Sequence, residues 1–319
     1  MFFRIINRAD FNFEITSKPQ STYRMQKMFI DIHAHAYRKP FFQLPGRKPW
    51  PNPDQLIEFY DQHEVEKAVL LPLIGPEFYL PQANEDILEA AERFPGRFIP
   101  FCNIHPKAMW NDHFTKLEDV FKQYRDAGCK GVGEVICNMS FFDPFMTNLF
   151  RAIEEMQWPM TIHVAHRYGR CYGIYDEPGL PGLSETLQRF PGMKVFAHSQ
   201  TFWAEIGTLN TPHERAGYPK GKVIEGAVPK MLRKYDNLYG DLSAGSGCNA
   251  LTRDEEFAVN FLNEFQDKLM FGIDICSAPG EPHHVSLMNF LKKLLAEGKI
   301  SQTVFNKIAR ENAIRLLNL

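Results

Sequence analysis

From residue 28 onward, short apolar runs rich in β-branched residues alternate with amphipathic stretches. The runs are "MFIDIHA" (28–34), "KAVLLPL" (67–73), "RFIPFCNI" (97–104), "KGVGEVI" (130–136), "PMTIHVA" (159–165), "KVFAHS" (194–199), "LYGDLSA" (238–244) and "KLMFGIDI" (268–275). Between them, "FTKLEDVFKQYRDAG" sets Leu117, Val120, Phe121 and Tyr124 at helical spacing, with Gly128 where a C-cap belongs. "DEEFAVNFLNEFQ" (254–266) and "HVSLMNFLKKLLAEG" (284–298) follow the same period. Strands alternating with helices imply parallel strands joined by right-handed crossovers, and eight such units predict one closed (β/α)8 barrel, a TIM barrel, over 28–319. An open doubly wound sheet would carry a Gly-rich phosphate turn after its first strand, and "DIHAHAYRKP" has none. The longest interruption, from Gln200 to about Val228, is expected to form a lid or a substrate wall.

Residues 1–27 break the pattern. They are net basic, but Asp10 and Glu14 interrupt them and no continuous apolar core or cleavage site follows, so an irregular extension is expected rather than a targeting segment. With 36 basic and 38 acidic residues there is no basic field to attract nucleic acid. No apolar run approaches the roughly eighteen residues that cross a bilayer. The six cysteines are scattered without a CxxC pair, which fits a reducing cytoplasm and argues against a thiolate zinc site.

In such barrels the active site sits at the C-terminal ends of the strands. Reading only those ends gives His33 and His35 on the first strand, Glu134 on the fourth, His163 on the fifth, His198 on the sixth and Asp274 on the eighth. Residues two apart on a strand share a face, so His33 and His35 project together. Nitrogen and carboxylate donors without thiolates suit a catalytic divalent ion, zinc foremost, with manganese or iron as alternatives.

The pieces "DIHAH", "TIHVAH", "VFAHSQ", "LMFGIDI" and "IARENAIRLLNL" together resemble the amidohydrolase superfamily, and more closely its amidohydrolase-related branch. That branch contains hydrolases and metal-dependent decarboxylases of the aminocarboxymuconate-semialdehyde type. The resemblance implies that His33, His35, His163 and Asp274 bind metal, one ion or two, and that Glu134 fills the fourth-strand ligand place. It further implies that His198 polarises substrate or ligates a second ion. The expected activity is hydrolysis of a C–N or C–O bond in a small molecule, with Asp274 as general base and His198 steadying the oxyanion. The alternative keeps the site and makes it a decarboxylase. Loss of activity, leaving a binding barrel, is a third reading, and association of copies is an expectation from the resemblance alone.

Other residues carry weaker expectations. Arg167 and His166 follow the fifth strand, as a solvated loop pair or with the guanidinium clamping a substrate carboxylate, and Trp203, Tyr218 and Arg253 are placed at the mouth. His105 ends the third strand as a pocket residue or a loop cap. Asp31 shares the parity of the two histidines and is expected to hydrogen-bond an inner neighbour. "GDLSAGSG" fails as a serine-nucleophile elbow because Asp241 stands where the first Gly belongs, so Asp241 is read as an outer partner of the site.

Overall fold

The computed structural model describes residues 28–39, 45, 49–78, 80, 82–277 and 279–319, so the expected extension 1–27 lies outside the described residues. The strands are β1 (Phe29–Ala34), β2 (Val65–Leu70), β3 (Phe98–Pro100), β4 (Val132–Val135), β5 (Pro159–Ala165), β6 (Ile174–Tyr175), β7 (Lys194–His198), β8 (Leu238–Asp241) and β9 (Leu269–Met270). Every pairing between these strands is parallel. Two ladders run β1-β2-β3 and β4-β5-β7-β8-β9, while β6 adds to β5 outside that path.

Hydrogen bonds at two seams join the ladders into the α/β barrel. Between β3 and β4, the Cys102 N–H donates to Gly131 O at 3.0 Å and the Gly133 N–H to Cys102 O at 2.9 Å. Between β9 and β1, the Ile32 N–H donates to Phe271 O at 3.1 Å and the Asp274 N–H to His33 O at 2.9 Å. Ile30, Ile32, Val69, Leu71, Ile99, Phe101, Phe196 and Met270 pack together with Leu316 and Leu317 of the C-terminal helix. A larger cluster joins the other strand residues to the surrounding helices, including Leu56, Phe121, Phe150 and Leu291. The helices start where local chemistry directs: Asn52 and Gln55 form a capping box around Pro53, and Asp143 caps the helix that begins at Pro144.

Some boundaries differ from the sequence reading. The second strand starts earlier, at Val65, and stops at Leu70, short of Pro72, whose ring nitrogen has no hydrogen to donate to a ladder. The eighth run forms a ladder only over Leu269–Met270. Beyond it Asp274 adopts a left-handed backbone, φ +58°, and its N–H turns to His33 O. The long interruption has internal order: a helix over Gln200–Ala204, a 3-10 turn over Pro212–Ala216, and an antiparallel bridge between Gly207 and Glu225. Buried Arg215 pins it, with Nε 2.6 Å from Glu205 and Nη1 donating to Asp176 O at 2.7 Å. Among the described residues no helix is long and apolar enough to cross a membrane.

Asp31 does not join the histidines. A register shift in the β1–β2 pairing falls between Asp31 and Ala34. The carboxylate accepts the N–H groups of His33 at 3.0 Å and Ile273 at 2.9 Å, and the Tyr60 hydroxyl at 2.8 Å. Burial pushes this carboxyl up to about 7, against the three hydrogen bonds that favour its charged form. Asp31 is thus a fastening between β1, the segment after β9 and the helix over Pro53–Gln62. Asp31→Ala strands three donors, each costing about 1–3 kcal/mol when unpaired and buried. The expected result, in urea unfolding of metal-free protein, is a loss of about 3 kcal/mol or more at unchanged m-value, with Asp31→Asn intermediate. An unchanged midpoint in Asp31→Ala would contradict this role.

Candidate metal centre

β1 delivers His33 and His35 with their Nε2 atoms 3.1 Å apart. What lies behind each ring explains why these nitrogens converge. His35 Nδ1 is 2.8 Å from Leu71 O, an oxygen that can only accept, so Nδ1 carries the proton and Nε2 a lone pair. His33 Nδ1 is 2.6 Å from Asp241 Oδ2, which fixes the same tautomer. Burial pushes the Asp241 carboxyl up, but the charge and hydrogen bond of His33 hold it below the ordinary carboxylate range. Asp241 is itself located by the Trp203 indole N–H, which donates to its backbone carbonyl at 2.7 Å.

Glu134 stands between this pair and the fifth strand. Its Oε2 lies 3.5 Å from His33 Nε2 and 3.4 Å from His35 Nε2, while Oε1 is 2.8 Å from His163 Nδ1. Burial opposes its charge, yet the His33 charge and hydrogen bonds from the imidazoles hold the carboxyl well below the ordinary range. The backbone around Glu134 is fixed from both sides. Asn103 Nδ2 donates to Glu134 O at 2.6 Å. A Cβ on Gly133 would come within 2.8 Å of Thr161 O, at φ +143°, so only glycine serves there.

Asp274 completes the ring. Its Oδ1 is 3.6 Å from His35 Nε2 and 3.9 Å from His33 Nε2, and its Oδ2 is 3.7 Å from His198 Nε2. His198 Nδ1 is 2.9 Å from Ser243 Oγ. Burial first, then the positive field of His33, lowers the His198 imidazole to about 4, so the ring is neutral at pH 7. For His33 burial works against charge, but the carboxylates of Asp241, Asp274 and Glu134 together raise its proton affinity well above the ordinary value. Those carboxylates would attract a divalent cation as they attract a proton.

All six strand-end residues therefore meet. Three overlapping triplets (His33, His35, Glu134; His33, His198, Asp274; Glu134, His163, His198) each bring one donor atom per residue within 4.8 Å of the others. Two converging imidazole lone pairs beside buried carboxylates are costly without a positive charge between them, and the donor set is of the kind that holds zinc or manganese.

The outer residues fall differently. Arg167 is exposed, with Nη2 on Arg170 O at 3.2 Å. His166 is partly buried, and burial followed by the charges of Arg167 and Arg215 lowers its proton affinity. Trp203, expected at the mouth, is buried at 1% exposure and supports the site through Asp241. Tyr218 is exposed, its hydroxyl 3.5 Å from Gln200 Nε2. His105 caps its loop, with Nδ1 accepting the Lys107 N–H at 3.2 Å. The sequence reading missed Trp50, whose ring centroid is 5.7 Å from that of His35, and Tyr172, 4.6 Å from His163. It also missed that the Cys276 thiol donates to Asp274 Oδ1 at 3.0 Å. Only Cys276, two residues after Asp274, had a signal in its spacing.

Fold and donor set together define a barrel enzyme of the metal-dependent amidohydrolase type. The chain belongs to the amidohydrolase family, whose model matches residues 30–319. It is similar in fold to a probable 2-pyrone-4,6-dicarboxylic acid hydrolase from Acinetobacter baumannii with citric acid bound, at 17% identity and TM-score 0.57, covering 92% of this chain and 100% of that one. A 5-carboxyvanillate decarboxylase from Novosphingobium aromaticivorans, complexed with manganese and 4-hydroxy-3-methoxy-5-nitrobenzoic acid, matches at 18% identity and TM-score 0.53, covering 83% and 80%. A 2,6-dihydroxybenzoate decarboxylase from Rhizobium matches at 14% identity and TM-score 0.53, covering 92% and 98%. No curated protein matches the chain.

Asp241→Asn keeps the shape behind His33 but removes the negative charge, and outer partners of ligating histidines typically carry 10–100-fold in metal affinity. Competition with a chromophoric chelator is expected to show a loss of about that size. Elemental analysis is expected to show reduced metal per chain in Glu134→Ala; full metal content there would remove Glu134 from the ligand set.

Proposed function

We propose that the protein is a metal-dependent hydrolase that opens a C–O or C–N bond, in an ester, lactone, amide or cyclic amide, of a small carboxylic acid. The observation that carries this reading is the position of Asp274. Its two oxygens face the two halves of the donor set, 3.6 Å from His35 Nε2 and 3.7 Å from His198 Nε2, and its side chain keeps 12% exposure where those of His33 and His35 keep 0% and 2%. A carboxylate so placed can hold a proton at the boundary between the buried cluster and an incoming substrate.

A divalent ion held by His33, His35, Glu134, His163 and Asp274 would supply Lewis acidity, polarising a substrate oxygen and making water acidic enough to act as a nucleophile near pH 7. Zinc is the first candidate; the manganese in the 5-carboxyvanillate decarboxylase makes that ion the second. The chain's own groups do the rest. Asp274 takes the proton from the attacking water and returns it to the leaving oxygen or nitrogen, a general-base role worth about 10²–10⁴ in rate. His198, neutral and located by Ser243, directs Nε2 toward the developing oxyanion, which it serves as a donor when that nitrogen carries the proton.

A second reading is favoured by the two benzoate-type decarboxylases among the similar structures. There the C–C bond electrons stay on the ring carbon, CO₂ leaves, and a proton from the Asp274–His198 pair takes its place. The test is to offer metal-loaded protein 2-pyrone-4,6-dicarboxylate, 5-carboxyvanillate and 2,6-dihydroxybenzoate while recording ring opening and CO₂ release. Ring opening without CO₂ is expected; CO₂ release instead would install the lyase reading. Asp274→Asn is expected to lose about 10²–10⁴ in turnover with metal retained, and undiminished turnover would remove Asp274 from the mechanism.

A further inference from the structure

We infer that Cys276 is a positioning residue of the centre: its thiol fixes the plane of the Asp274 carboxylate, so that one oxygen stays turned to His33 and His35 and the other to His198. This rests on the reading of Asp274 as ligand and proton carrier, and deepens it. Oδ1 of Asp274 lies 3.6 Å from His35 Nε2 and 3.9 Å from His33 Nε2, and Oδ2 lies 3.7 Å from His198 Nε2. A turn of the carboxylate plane would take both oxygens off these neighbours at once. The backbone that carries the side chain is already tied. The Ile273 N–H donates to Asp31 at 2.9 Å, the Asp274 N–H to His33 O at 2.9 Å, and Ile273 O accepts the Ala244 N–H at 3.1 Å. Ile275 is buried at 0% exposure and anchors the chain on the other side. What these contacts leave loose is the last torsion of the side chain, which in aspartate is broad rather than confined to narrow wells.

The other carboxylates of the centre are held more firmly. Asp241 accepts the Ser243 N–H at 3.0 Å and faces His33 Nδ1 at 2.6 Å, while Glu134 faces His163 Nδ1 at 2.8 Å. Among the described residues the Asp274 carboxylate accepts one hydrogen bond, from the Cys276 thiol to Oδ1 at 3.0 Å. The same sulfur is 3.6 Å from the backbone oxygen of Asp274, so the carboxylate is the nearer acceptor. Cysteine is among the residue types most often buried, yet Cys276 is exposed, so its sulfur is not placed there to fill the core. A carboxylate oxygen has two lone pairs, and one weak S–H donor on Oδ1 leaves the second for a cation. Partners that orient a ligating carboxylate from outside typically carry 10–100-fold in metal affinity or activity, and a weak donor belongs at the lower end of that range.

The experiment loads the full chain with cobalt(II), whose visible absorption follows the arrangement of its ligands, and compares wild type with Cys276→Ser, Cys276→Ala and Cys276→Val. Serine keeps a donor and valine keeps the bulk without one. The visible band is expected to change in Cys276→Ala and Cys276→Val and to stay as in wild type in Cys276→Ser, at unchanged cobalt per chain and unchanged thermal transition. With whichever of the three test substrates turns over, alanine and valine are expected to lower kcat about 10-fold at nearly constant KM, and serine to restore it. A wild-type band or undiminished kcat in Cys276→Ala overturns the proposal, and so does a serine variant that behaves like alanine. A sulfur-to-cobalt charge-transfer band in wild type overturns it as well, because Cys276 would then be a ligand itself. A band that responds as expected, in a protein that neither opens the pyrone nor releases CO₂, supports the Cys276 assignment while the proposed reaction fails.

Discussion

The distance between two nitrogens governs much of this molecule. His33 Nε2 and His35 Nε2 lie 3.1 Å apart with their lone pairs converging, because Asp241 and Leu71 O claim the opposite nitrogen of each ring. Two neutral acceptors at that separation repel unless a proton or a cation lies between them. Glu134 and Asp274 add negative charge on the same side, so the barrel concentrates an electrostatic demand at one rim. A divalent ion answers that demand better than one proton on His33, since it engages the other donors as well.

Holding such a cluster together is the task of the surrounding fold. Unpaired buried polar groups each cost a few kcal/mol, so the donors persist only if their backs are satisfied. Asp31 takes three donors where β1 meets the segment after β9, Asn103 grips the carbonyl of Glu134, and Trp203 grips that of Asp241. None of these groups needs to touch a substrate. They keep the donor atoms from relaxing apart, the relaxation that a flexible peptide of the same composition would undergo.

The strand alternation and the meeting of six strand-end residues were readable from the chain because both obey local rules: period two along a strand, and strand ends gathered at one end of a barrel. Asp31 makes the inner hydrogen bonds expected of it, but their partners Tyr60 and Ile273 lie on other segments and could not be named from the strand alone. Trp203 shows the same limit: an aromatic in a Gly- and Pro-rich stretch looks like a mouth residue until Asp241, 38 positions away, supplies a carbonyl for its indole. Arg215 and Tyr172 are further cases, since their partners Glu205, Asp176 and His163 come from other segments of the chain.

Hydrolysis and decarboxylation ask for nearly the same centre. Each needs a cation to draw electron density from the substrate and an acid–base pair able to move one proton. Under the proposed function, Asp274 and His198, 3.7 Å apart and on different strand ends, would form such a pair for either reaction. The difference lies in which substrate atom is brought to that pair: an acyl carbon for water to attack, or a ring carbon that exchanges a carboxylate for a proton. That choice belongs to whatever fixes the plane and offset of the bound molecule. Reaction type would then follow from orientation against a common cation, which is how one donor set can serve two bond cleavages on closely related folds.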